Sequence, residues 1–208
     1  MVGVIPLALV ALAVVLAGVA PRLMAAQPRF RRAPRAALVA CQAVAVGAIV
    51  AALAAAPAAF AVLTPRGSAA GQDALLVVAV VTSAVIAGRL LWSGHRVGRR
   101  LRSLRAEHRE LVDIVGRPGR DRVRVLAHPT PTAYCIPGRH ARVVLSQGVL
   151  DALPADQFEA VVAHEEAHLR ARHDLLVEFF TVVHEAVPAP LRSDAAMREV
   201  RLLVEALA

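Results

Sequence analysis

His164-Glu165-Glu166-Ala167-His168 is an H-E-x-x-H pentad inside a stretch with helical character. Histidines four positions apart on a helix share one face and can aim their imidazole nitrogens at a single zinc ion. Glu165, beside the first histidine, is then placed to take a proton from a water activated by that ion. A chain with this histidine and glutamate content carries such a pentad by chance about once in eighty. The pentad therefore needs support from a helix start, a third ligand and a substrate groove.

The helix start is legible. Pro154 suits a first helical turn, Asp156 and Glu159 suit its positive end, and Phe158, Val161 and Val162 supply an apolar face leading to His164. Upstream, Gly116, Pro118 and Gly119 break a preceding helix, and the period then changes. Residues 122–126, 132–136 and 141–146 read as three short strands, with turns at Pro137-Gly138 and Gly148. Residues 198–207 read as a further helix with Val200, Leu203, Val204 and Leu207 apolar, and residues 175–183 as a core or membrane-grazing helix.

Composition puts this small α+β segment behind a membrane region. Hydrophobic residues make up 57% of the 208, and mean hydropathy is +0.56, too apolar for an ordinary soluble domain. Three runs are long enough to cross a bilayer as helices: 2–20, 36–63, which can bend at Pro57, and 74–92. Nothing basic precedes the first, so it reads as an anchor and not as a cleavable signal. Arg89 is expected to snorkel toward the interface that Trp92 also favours.

All the basic residues are arginines, and the net charge is +8. They gather beside the apolar runs, so the charge points to a membrane and not to nucleic acid. Arg22, Arg29, Arg31, Arg32 and Arg35 follow the first run, and Arg96, Arg99, Arg100, Arg102, Arg105 and Arg109 follow the third. Between the second and third there is only Arg66, opposed by Asp73. The positive-inside rule puts the N-terminus outside and everything after Trp92 in the cytoplasm of a multi-pass cell-membrane protein. Residues 94–114 read either as an amphipathic helix with its basic face on anionic headgroups or as a solvated linker helix. Cys41 and Cys135 should lie at different depths, so no disulfide is expected.

The expected organisation is a three-span region over 1–93, a basic juxtamembrane helix and linker over 94–120, and a metallopeptidase domain over 121–208. The fold is mainly α, with membrane helices followed by a small α+β domain built around the H-E-x-x-H helix. Spacing alone leaves the third ligand open among Glu205, Glu199, Glu178, His184 and Glu185.

The succession Pro131-Thr-Ala-Tyr-Cys-Ile-Pro-Gly138, Val143-Val-Leu-Ser-Gln-Gly148, Leu153-Pro154 and Val162-Ala-His-Glu-Glu-Ala-His168 resembles membrane zinc peptidases of the HtpX and CAAX prenyl protease type. The related sensor peptidases of beta-lactam resistance share it. The likeness covers the stretch from near 122 to the end. It implies a gluzincin with one Zn2+ per chain, held by His164, His168 and Glu205, the last in an E-x-x-A-D setting whose Asp would follow Ala208. The chain is thus expected to stop within that motif, leaving the domain incomplete.

The same likeness implies that residues 132–136 pair with an extended substrate. The substrate is then a protein or peptide, membrane-associated, with the lipid bilayer as the other partner and no nucleic acid. Such relatives carry an Asp where this chain has His173, followed by Asp174. His173 is expected to be solvated or capping, being half a helical revolution from His164, and Asp174 to support the ligands. Cys135 reads as a packing residue. The reading is a membrane-integrated zinc endopeptidase with Glu165 as general base. The alternative is a membrane sensor or scaffold with a non-catalytic peptidase-like domain.

Overall fold

A computed structural model describes residues 4–64 and 68–207; Val2, Arg66 and Ala208, which figure in the expectations above, lie outside them. The chain is mainly helical with one small sheet, and it divides into two compact units. One comprises the residues up to His95 together with Phe179–Leu207, and the other Arg96–Glu178.

In the first unit, helix α1 (Ile5–Val14), a π-helical turn (Val15–Val19) and α2 (Ala20–Ala25) form one run. Pro21 explains the turn: it has no N–H for Ala17, and its ring would crowd that carbonyl, so the ladder widens. Arg22 fills part of the gap, its Nη1 donating to the Gly18 carbonyl at 2.9 Å. Gly18 is buried against Leu191, whose Cδ2 would stand 3.0 Å from an added Cβ.

A 3-10 turn (Pro28–Arg32) leads into α3 (Pro34–Leu63), which packs on α1. Small residues make that approach close: Ala37, Ala48 and Ala51 are buried, and Gly47 faces Leu16. Helix α4 (Ala69–Val115) is one continuous element of 47 residues. The third apolar run and the basic stretch after it therefore belong to one helix, with no break at Gly94.

Ile5–Ala25, Pro34–Leu63 and Ala69–Val115 are each long and apolar enough to cross a membrane. Leu76, Val77, Val80, Val81 and Trp92 on α4 are exposed, as lipid-facing side chains are. Arg89 is exposed near the end of the third apolar run, and its guanidinium donates to the Ala186 carbonyl at 3.1 and 3.3 Å, which satisfies a helix-end acceptor.

The second unit holds a four-stranded sheet in the order β1-β2-β4-β3, formed by β1 (Arg117–Pro118), β2 (Val123–Leu126), β3 (Ala133–Ile136) and β4 (Arg142–Ser146). Strand β4 is central, parallel to β2 and antiparallel to β3. Val143, Val144 and Leu145 are fully buried there, and Val112, Ile136 and Val144 form a core against Leu126 and Tyr134. Asp113 on α4 ties the sheet down by accepting from Arg124 and Arg142, each at 2.9 Å.

Gly148 does not make the expected turn. It lies in a short helix, α5 (Gln147–Ala152), whose start is capped by Ser146 accepting from Val149 N. An added Cβ on Gly148 would lie 2.0 Å from the Pro129 carbonyl oxygen, so only glycine fits. Helix α6 (Ala155–Ala171) then packs on β3 and β4. It ends at Arg172 in the left-handed region, φ 51°, and α7 (His173–Ala186) begins at the next residue.

Candidate functional site

The pentad occupies the C-terminal half of α6, and its five residues are half-buried. His164 and His168 stand edge to face, ring centroids 4.9 Å apart and planes at 86°. One helical turn separates them, which is the arrangement the i, i+4 spacing demands. Glu165 lies on the same helix, half-buried.

The left-handed Arg172 reverses the chain sharply enough to bring His173 back on His168. His173 Nδ1 and His168 Nδ1 are 2.9 Å apart, and the rings stand at 81°. His173 is 6% exposed. The expectation of a solvated or capping histidine is thus corrected: His173 is buried and hydrogen-bonded to His168. Only one of the two Nδ1 atoms can carry the proton in a neutral pair. If His168 donates, its Nε2 keeps the lone pair a metal needs, and His173 is the acceptor that fixes this tautomer.

Asp174, the next residue, places its carboxylate 3.3 Å from Arg105 Nη1. Sequence spacing showed His173 off the ligand face but could not show the reversal at Arg172.

Cys135 on β3 has a partner that the sequence did not reveal. Burial pushes its thiol up to about 12, and the charge and hydrogen bonding of Glu165 push in the same direction. Burial and the neighbouring Glu165 carboxylate both favour the protonated thiol over the nucleophilic thiolate. Beside it, the Tyr134 hydroxyl meets His108 Nε2 at 2.8 Å, and burial raises the phenol above its usual range. These contacts fix β3, an edge strand with β4 as its strand partner, along the pentad helix.

The candidates for a third ligand are sorted by their own contacts. Glu199 is bound by Arg31 in a bidentate pair, both bonds 2.8 Å, which holds its carboxyl below the usual range. Glu178 lies 3.7 Å from Arg105, and His184 Nε2 lies 3.4 Å from Asp194. Helix α8 (Asp194–Glu205) buries Glu199, Val200, Leu203 and Val204, while Glu205, its last residue, is exposed. Two imidazoles and a carboxylate are a donor set that suits zinc better than a hard cation.

Residues 99–191 match the profile of Peptidase family M48. Two curated relatives, each described as a protease HtpX homolog, come from Trichormus variabilis and a Nostoc species. Each is 37% identical over 59 residues, covering 23% of this chain and 20% of the relative. The matched part thus spans about a fifth of the relatives' length. No solved structure matches the chain significantly.

Proposed function

We propose that this chain, which matches Peptidase family M48 over residues 99–191, is a zinc-dependent endopeptidase of the HtpX type acting beside the bilayer. The observation that carries the reading is the His164–His168 pair with His173 fixing the second ring from behind. A merely polar helix face gives no reason for a buried imidazole to bond the ring of its second histidine.

His164, His168 and Glu205 are the proposed ligands, a group whose donor chemistry suits one metal ion. Zinc held there would act as a Lewis acid, acidifying water and polarising the scissile carbonyl. The chain's own groups do the rest. Glu165 accepts the proton of the attacking water and later returns it to the leaving amine. The Cys135 thiol, protonated at neutral pH, orients that carboxylate without competing for the proton. The outer edge of β3 is the proposed docking line for an extended substrate, which adds as a strand through its main chain.

The functional division is proposed as a membrane region over 1–93, a linker over 94–120 and the peptidase part over 121–208. The arginine pattern supports an outside N-terminus and a cytoplasmic peptidase part.

The test is cleavage of an unfolded or membrane-associated protein by the full chain, alongside Glu165→Gln, with zinc content measured in both. The variant should keep its metal and lose hydrolysis. Retained metal with unchanged cleavage would remove Glu165 from the chemistry. Metal binding without hydrolysis by the unaltered chain would favour the sensor or scaffold reading.

A further inference from the structure

Two arginines, one in α2 and one on the 3-10 turn after it, hold helix α8 and the segment before it within one compact unit. Arg31, on the 3-10 turn between α2 and α3, donates through Nε and Nη2 to the two oxygens of Glu199. The pair is asymmetric: the Glu199 side chain is 10% exposed and the Arg31 side chain 59%. Arg22, at the end of the first span, donates through Nη2 to the Pro190 and Arg192 carbonyls at 3.0 and 2.9 Å. One clamp therefore holds the turn that precedes α8, and the other holds its middle. Val200, Leu203 and Val204, which follow Glu199 along α8, are buried.

A helix pinned by apolar contacts alone can slide or rotate by small amounts. A bidentate guanidinium–carboxylate pair fixes both its height and its azimuth. Glu205 lies about 9 Å further along α8 and about a third of a turn off the Glu199 face. The rotation and height set at Glu199 are thus carried rigidly to Glu205.

We infer that Arg31 is a positioning residue for the third metal ligand, acting through Glu199 to set the angle at which α8 presents Glu205. This rests on the reading of Glu205 as a ligand. It gives the arginines after the first span a second use besides orientation in the membrane.

The test is zinc affinity of the full chain in detergent, measured by competition with a chromophoric chelator. The variants are Arg31→Ala, Arg31→Lys, the exchange of Arg31→Glu with Glu199→Arg, Glu205→Gln, and Arg32→Ala as an exposed neighbour control. Arg31→Ala should weaken zinc binding about tenfold, as loss of outer-shell support does. Lysine should rescue in part, the exchange should restore most of the affinity, and Arg32→Ala should match the unaltered chain. Unfolding is read separately from helical circular dichroism.

Two results overturn the inference: unchanged affinity in Arg31→Ala while Glu205→Gln binds poorly, or a loss that the exchange does not recover. Unchanged affinity in Glu205→Gln points instead to failure of the ligand reading beneath it.

Discussion

His173 Nδ1 lies 2.9 Å from His168 Nδ1, a contact between a buried imidazole and the second histidine of the pentad. An imidazole is an unusual choice of support here, since it can accept only while neutral. His173→Ala should therefore lower zinc affinity about 10- to 100-fold with little change in helical content, as outer-shell removals do. His173→Asn, which keeps an acceptor, should recover part of it. Equal chelator competition by His173→Ala and the unaltered chain would show that the contact is packing only.

Glu199 gives the clearest acid response. Its carboxyl is held below the ordinary 4.5, first by the hydrogen bonds from Arg31 and then by that residue's charge. The unfolded chain binds this proton first as pH falls, so the pair's stabilisation is complete above about pH 4.5 and is lost through the lower folded value. Thermal midpoints followed from pH 7 downward should show a fall in that window that Arg31→Ala largely lacks. Parallel curves for the two proteins would exclude the pair as the cause.

Cys135 predicts the reverse at high pH. Its folded value of about 12 exceeds the ordinary 9.0, so the native state keeps a proton that the unfolded chain gives up. Stability should fall as pH rises from about 9 toward 12. In a Cys41→Ser background, alkylation at pH 8 should be far slower than for a free cysteine, and Glu165→Gln should speed it by removing a negative neighbour. Rapid labelling of the otherwise unaltered site would contradict the burial of the thiol.

Gly148→Ala should destabilise the second unit by about 1–3 kcal/mol, the usual cost of overpacking. The added methyl has no room beside the Pro129 carbonyl oxygen, 2.0 Å away, and a backbone cannot yield as a flexible side chain can. Proteolytic resistance of residues 96–178 reads the loss, and an unchanged midpoint would mean that the 128–132 segment moves aside freely.

What could be read in advance was local or periodic. Strands at 123–126, 133–136 and 142–146 fall within the alternating stretches, and the pentad helix begins one residue after Pro154. The three apolar runs became helices because length and composition alone decide that. What escaped depended on distant partners or on a single unusual dihedral. His173 was misjudged because a uniform helix carries it away from His168, whereas the left-handed Arg172 brings it back. Helix α5 was hidden because its six residues are too few to show a period. The Arg31–Glu199 pair joins residues 168 positions apart, beyond the reach of any local pattern.

Strand β3, at the rim of the sheet, offers amides and carbonyls to whatever lies alongside. Under the proposed function, recognition through that rim would ignore residue identity and ask only whether a polypeptide's own main chain is still free. A polypeptide with an extended, unpaired segment meets that condition, while a folded one does not. A tightly folded protein should therefore survive where its denatured form is cut, and equal digestion of both would show that selection lies elsewhere.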